Sequence, residues 1–259
     1  MKKFFIKILL LVLIIFPLTF GCGHTMTDNE RAAQKYFEQA NSEWMSNRHN
    51  RQRVIENYTS AIELNPNLAD AYIGRSVIYQ IESRTVGTPE DQVKARQDCE
   101  RALKADPNSA RAYRWRAYLN RYKDVTSALA DANRAVELDP NYLEAYEMRA
   151  NIYMDMKYYS RAIADYTYIL EYPNFKNSSY MKYYDFDRMS DWQWYVNWDQ
   201  RIAALYNLRG NAYYYNGDID NAINDYECAL KLSPNNMWIG RPFGGKIQQI
   251  IAEKNSRNG

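Results

Sequence analysis

A chain of 259 residues that is 46% apolar and 25% charged, with only 10 glycines, is long enough to bury a core and too apolar to stay disordered. Of its 33 Lys and Arg, Lys2, Lys3 and Lys7 fall in the first twenty-one residues, which hold no acid; beyond them 30 basic residues face 31 acidic ones, a net of −1. That balance gives no basic surplus for gripping a phosphate backbone, so nucleic acid is not an expected partner.

The chain opens with "MKKFFIKILLLVLIIFPLTFG", lysines followed by an apolar run from Ile8 to Phe20. This pattern predicts an export signal over residues 1–21. The run of 13 residues is shorter than the ~20 that a membrane-spanning helix needs, so it is not expected to span a membrane. Cys22 follows in "LTFGCG". Gly21 and Cys22 resemble the lipobox of bacterial lipoproteins, in which a small residue precedes a Cys that is acylated and becomes the mature N-terminus. The box departs from the usual one at Thr19, where Leu is common, and at Phe20, where a small residue is common. The resemblance implies that Cys22 is lipidated, that residues 22–26 are a linker, and that the protein is exported as a periplasmic or outer-membrane-associated lipoprotein. The alternative is an ordinary signal cleaved near Gly21 or Gly23, which leaves a free thiol in an oxidising compartment. Cys99 and Cys228 lie several repeats apart and are expected as small buried hydrophobes without a disulfide.

"TDNE" at 27–30 has the form of a capping box and predicts the start of the first helix. From there the chain repeats itself. "AIELNPNLADAY" (61–72), "ALKADPNSARAY" (102–113) and "AVELDPNYLEAY" (135–146) share one phrase, with looser copies in "ILEYPN" (169–174) and "ALKLSPNN" (229–236). Pro66, Pro107, Pro140, Pro173 and Pro234 are 41, 33, 33 and 61 residues apart, which fits a unit of about 34 residues with extra residues in the second unit and before the fifth. Inside each unit the apolar residues recur at helical spacing. Tyr146, Ala150 and Tyr153 share a face of one helix, and Ala162, Tyr166 and Ile169 share a face of the next. Proline then stops the second helix. The pattern predicts an all-α chain of helical hairpins, with the second unit's extra residues in a longer turn, "IESRTVGTPED".

These residues resemble the tetratricopeptide repeat family. The fifth unit matches its pattern with Tyr206, Gly210, Tyr213, Ala222, Tyr226, Ala229 and Pro234; the fourth with Tyr146, Ala150, Tyr153, Ala162 and Tyr166; the third with Tyr113, Ala117, Ala128, Ala135 and Pro140. The second carries Tyr72, Ser76, Tyr79, Ala95, Ala102 and Pro107, and the first Phe37, Trp44, Tyr58, Ala61 and Pro66. The resemblance implies a right-handed superhelical solenoid over 27–259, with about five units at 34–67, 69–108, 110–141, 143–174 and 203–235. A closing helix near 246–254 would set Ile247, Ile250 and Ile251 on one face. It also implies a partner groove lined by the first helix of each unit: Arg111, Arg114, Tyr118 and Arg121 in the third, Glu144, Glu147, Asn151 and Met154 in the fourth, Ala204, Asn207, Asn211 and Tyr214 in the fifth. Charges of opposite sign on neighbouring helices can instead pair with each other.

Residues 174–200 interrupt the period and are dense in aromatics, among them Tyr184, Trp192, Trp194 and Trp198. Two readings stay open. Ser190, with Gln193, caps a lengthened first helix of the fifth unit and the rings pack on units four and five, or the rings form an exposed patch for a partner or a glycan.

Little else suggests chemistry. His24 and His49 are the only histidines, too few and too far apart for a metal centre or a paired base. Gly240, Gly245 and Lys246 have phosphate-loop spacing, but Ile247 stands where Ser or Thr would hold magnesium. Neither cofactor nor enzymatic activity is expected. The resemblances together point to a non-enzymatic protein-protein interaction scaffold of the bacterial cell envelope, with a protein or peptide partner. The alternative is a module that binds a cell-wall glycan through the aromatic insertion.

Overall fold

The computed structural model describes residues 25–46, 50–85, 88–173 and 198–234. Among these, ten helices and no strand occur. They form five hairpins: α1 (Asp28–Ser46) with α2 (Arg51–Leu64), α3 (Ala69–Thr85) with α4 (Pro89–Ala105), α5 (Ala110–Asn120) with α6 (Val125–Leu138), α7 (Leu143–Asp155) with α8 (Tyr159–Glu171), and α9 (Trp198–Tyr215) with α10 (Ile219–Leu232). Each helix packs on its hairpin partner, and each hairpin on the next, with α8 directly against α9. The result is a solenoid in which first helices stack beside first helices. Its core is a row of contacts between neighbours, as expected where one hairpin alone cannot bury its apolar face.

The boundaries follow from short polar signals. Glu30 accepts from the Thr27 backbone N–H (2.7 Å) while the Glu30 N–H donates to the Thr27 hydroxyl (3.2 Å), completing the capping box before α1. Asp124 caps α6 by accepting from the Ser127 N–H (3.0 Å), and Asp218 caps α10 by accepting from the Asn221 N–H (3.3 Å). The recurring Asn/Asp-Pro-Asn phrase is a turn closed by its own side chain. Asn65, Asp106 and Asp139 accept from the N–H groups of Asn67, Asn108 and Asn141 at 3.1, 2.9 and 2.9 Å.

The second hairpin differs from the expected longer turn. Its extra residues extend both helices to 17 residues each, and Pro89 opens α4 behind a Thr88 N–H that donates to Asp91 (3.0 Å). Proline at the first helical position and an acid two residues later favour helix over loop. α9 likewise starts at Trp198, five residues before the expected unit boundary. The closing helix expected at 246–254, the phosphate-loop-like stretch, Ser190 and Gln193, and residues 1–24 lie outside the described residues.

Small residues set the helix spacing. Ala150, Ala162, Ala212 and Ala222 are buried, and Tyr166 and Tyr226 fill the space beside them. Gly74 is the tightest point. A β-carbon there would lie 2.4 Å from Cζ of Tyr58, a buried ring whose hydroxyl donates to Asn41 (2.6 Å).

One polar device recurs from hairpin to hairpin. Arg75, Arg116, Arg149 and Arg209 of the first helices each donate through Nε and Nη2 to both oxygens of an acid on their own second helix. The acids are Asp98, Asp131, Asp165 and Asp225, at 2.7–2.9 Å. Nη1 of the same arginines reaches the preceding hairpin's second helix, at Thr59 (2.9 Å), Glu100 (3.3 Å), Asn133 (3.3 Å) and Thr167 (3.1 Å). Each of these lies two places after the acid position of its own hairpin. Tyrosines flank the guanidinium: Tyr146 and Tyr153 at 5.2 and 6.0 Å around Arg149, Tyr206 and Tyr213 at 5.6 and 5.7 Å around Arg209. The first hairpin has Ala40 and Asn57 at the two positions, so the row starts at Arg75. It continues unbroken across the junction where residues 174–197 enter, because Arg209 still reaches Thr167.

The turns inside hairpins four and five close alike. Tyr158 N–H donates to Tyr153 C=O (2.8 Å) and Asp218 N–H to Tyr213 C=O (2.9 Å), a closure that places one residue in the left-handed region. In the fifth hairpin that residue is Gly217 at φ 85°; in the fourth it is Lys157 at φ 61°, where a side chain costs about 1–2 kcal/mol.

Candidate partner-binding groove

The groove candidates sit on α5, α7 and α9, the first helices of three consecutive hairpins, with Arg121 just after α5; α5 packs on α7, and α7 meets α9 through Glu147 and Arg201. Their charges are tied to one another across those hairpins. Arg111 donates to Asp70 on α3 (3.1 Å). Arg114 is only 1% exposed; its Nε donates to the Tyr142 hydroxyl (2.8 Å), and its guanidinium lies 5.9 Å from the centre of the same ring. Arg121 holds Asp155 of the next hairpin through Nε and through Nη2 (2.9 Å), and Nη2 also donates to the Asn151 carbonyl (3.1 Å). Burial alone would lower the Arg121 pKa, but the hydrogen bond and charge of Asp155 raise it overall. Glu147, 2% exposed, pairs with the buried Arg201 of α9 at 3.7 Å.

The remaining candidates divide between structural and half-open positions. Asn151 and Asn211 accept from the hydroxyls of Tyr166 and Tyr226 (2.8 Å each), an internal bond that repeats the Asn41–Tyr58 pair of the first hairpin. Burial pushes all three of these phenols above the usual tyrosine range. Glu144 is buried, Tyr118 is half-buried with its ring stacked on Trp115 at 4.8 Å, and Asn207, Tyr214, Ala204 and Met154 are half-buried. The structure therefore brings the groove residues together as one row and gives most of its charge to interhelical bonds. Of the aromatic-patch candidates, Trp198 opens α9, and Tyr184, Trp192 and Trp194 lie outside the described residues, as does Cys22.

Sequence reasoning missed the arginine row, although its signal was present. Tyr-x-x-Arg recurs in "YIGR", "YRWR", "YEMR" and "YNLR", each followed in the second helix by Asp98, Asp131, Asp165 or Asp225. Buried Cys99 was expected; Cys228 is half-buried. Burial raises the Cys99 thiol to about 12, which makes it a poor nucleophile. Among the described residues no group of three or more His, Cys, Asp or Glu is placed to hold a metal ion, and no helix is long and apolar enough to cross a membrane.

Comparison with known proteins agrees with this architecture. Residues 143–172 and 203–236 match family models described as tetratricopeptide repeat. A thermophilic tetratricopeptide-repeat protein of Thermus thermophilus matches with a TM-score of 0.55 at 12% identity, over 85% of this chain and 100% of its own. YrrB, described as a repeat protein of this kind with an unusual peptide-binding site, matches at 0.50 with 18% identity, over 82% and 95%. PilF of Pseudomonas aeruginosa matches at 0.50 with 18% identity, over 88% and 100%. The chain thus carries tetratricopeptide repeats, two of them matched in sequence, and its five described hairpins have the fold of a tetratricopeptide-repeat solenoid.

Proposed function

We propose that the protein is a non-enzymatic interaction scaffold of the bacterial cell envelope, held at a membrane by lipidated Cys22 and binding a protein or peptide partner along its stacked hairpins. Proteins built from tetratricopeptide repeats are in general interaction scaffolds, and the solved neighbour YrrB is described as having a peptide-binding site. The observation that carries the reading is the arginine row. Four bidentate links from Arg75 to Arg209 tie each hairpin's two helices together, the Nη1 groups of the same arginines join each hairpin to the one before it, and the polar residues along the row are engaged in holding shape. A surface of this kind recognises by form and by a few exposed side chains.

The tether is supported by the export-type segment and the Gly21-Cys22 pair. Lipoprotein acylation attaches more than one chain, and two chains together anchor stably where a single one does not. Phase partitioning tests it: the wild-type chain enters the detergent phase and Cys22→Ala the aqueous phase, both with full helical content. Wild-type protein in the aqueous phase overturns the tether. In the same cells, in vivo crosslinking followed by mass spectrometry reports the partner. Recovery of no envelope protein above a Cys22→Ala control that is expressed in the cytoplasm overturns the scaffold.

A further inference from the structure

The first helices end, and the second begin, along one edge of the solenoid, and three consecutive turns on that edge are fastened together. Arg121 of the third hairpin's turn holds Asp155 of the fourth. Tyr159 of the fourth stacks on Tyr215 of the fifth at 5.5 Å, and Ser160 Oγ donates to Asn216 Oδ1 at 3.1 Å. The edge is therefore one surface.

Its exposed side chains are of two kinds. Tyr122 is 85% exposed and Tyr158 47%. Beside them stand the exposed cations Lys123, Lys157 and Arg161, the last with its guanidinium 5.3 Å from the centre of the Tyr158 ring. No ion pair among the described residues involves any of these three. On the third and fourth turns the acids are engaged, Asp124 capping α6 and Asp155 held by Arg121; on the fifth, Asp218 caps α10 and Asp220 stands exposed in the first turn of α10. Lys157, moreover, stands at a left-handed position that the neighbouring turn fills with Gly217. A backbone that tolerates lysine where glycine is favoured presents that cation at a cost to the fold, and strain of this sort gathers at functional positions.

We propose that this turn edge of the third and fourth hairpins docks an acidic segment of a partner protein. Carboxylates of the segment meet Lys123, Lys157 and Arg161, and its apolar side chains lie on the rings of Tyr122 and Tyr158. Arginine and tyrosine are the residues that dominate protein hot spots. An anionic membrane is the poorer fit, because lipid-binding patches carry clusters of about four to eight Lys and Arg. The proposal rests on the scaffold reading for the class of partner and adds the place and the chemistry.

The test is fluorescence anisotropy at low salt with the full-length chain carrying Cys22→Ala, so that no lipid contributes. The probes are a labelled peptide of repeated Glu-Glu-Pro-Leu and its Lys-Lys-Pro-Leu counterpart, and the vesicle control is phosphatidylglycerol. The acidic peptide is expected to bind and the basic one not. Lys123→Glu, Lys157→Glu and Arg161→Glu together weaken binding about tenfold or more, as does Tyr122→Ala with Tyr158→Ala, with melting unchanged because these side chains are exposed. Lys157→Gly separates binding from folding: it removes the cation and relaxes the backbone, so affinity falls while the melting temperature rises. Lys104→Glu, an exposed cation on α4 away from the edge, leaves binding intact. Equal binding by the triple variant, an equal loss in Lys104→Glu, equal affinity for the basic peptide, or binding of the vesicles alone that depends on these edge residues each overturns the proposal. The scaffold reading survives such a failure if the same edge variants still crosslink the envelope partner.

Discussion

Removing the carboxylate of Asp225 tests the arginine row at the point where it matters most for the fold's continuity. Arg209 donates to both Asp225 oxygens at 2.8 Å, and the side chains are 15% and 6% exposed. Asp225→Ala strands a guanidinium between Tyr206 and Tyr213 with Nε and Nη2 unsatisfied. Breaking a fully buried pair from one side costs about 3–5 kcal/mol; Arg209 keeps Thr167, two rings and some water, so about 2–3 kcal/mol is expected. Stacked hairpins unfold by neighbour-to-neighbour cooperation, so the loss falls first on the C-terminal end. Urea denaturation by far-UV circular dichroism gives the total, and hydrogen exchange shows α9 and α10 losing protection before α3 and α4. Asp131→Ala, in the middle of the row, shifts the whole transition instead. The double variant Arg209→Met with Asp225→Leu recovers most of the loss, since a well-packed apolar pair replaces a buried ionic one without penalty. A cost for Asp225→Ala within about 0.5 kcal/mol of zero, or a double variant no better than the single, refutes the reasoning.

Gly74→Ala drives a methyl group into the anchored ring of Tyr58 and is expected to cost about 1–3 kcal/mol in chemical denaturation. Lys157→Gly relieves the φ of 61° and is expected to stabilise by about 0.5–1 kcal/mol in the same measurement. Stability falls in alkali. Burial raises Cys99 from 9.0 to about 12 and also raises Tyr58, Tyr166 and Tyr226 above 10.0. The unfolded chain therefore releases these protons first. The stabilisation is complete below pH 9 and is lost as pH rises from there, by up to about 1.4 kcal/mol per unit for each group; thermal melts flat to pH 11 contradict it. Cys99 stays unreactive to Ellman's reagent in the folded chain and reacts in urea.

The hairpins could be read from sequence because the family's small and aromatic positions recur at nearly fixed distance, and a repeated error in spacing would show at once. The second unit was misjudged for a local reason. "VGTPED" contains Gly and Pro, the usual marks of a loop, yet Pro89 sits at the one helical position that needs no N–H, so the added residues became helix. The groove was legible as a set of positions but not as an environment. Sequence gives Arg114 and Glu147 as charges on neighbouring first helices; only the fold shows each almost fully buried, with Tyr142 on one and Arg201 on the other. Arg201 could not be foreseen as Glu147's partner, since it lies outside the repeat pattern and belongs to the five-residue extension of α9. The exposed edge was missed because turn residues carry no periodic signal: Tyr122 and Lys123 differ from Lys157 and Tyr158 in order and from Asn216 and Gly217 in kind.

That difference between a repeated frame and unlike turns has a physical basis. The frame is fixed by groups with obligatory partners, a guanidinium between two rings and an acid beneath it, and one missing member leaves a buried charge. Turns face no such demand. Pro173 and Trp198 bracket the interruption of the period, yet α8 and α9 pack directly and Arg209 reaches Thr167 as Arg149 reaches Asn133. The stack closes across the interruption because lengthening a connection costs little, about 0.6 kcal/mol for each doubling, whereas unpairing one rung costs several times that. Variation in such a chain is therefore admitted at edges and junctions and refused along the row, and the features that fall outside the repeated frame, the Tyr–Lys turns and the aromatic stretch, lie where the solenoid can accept them at least cost to its fold.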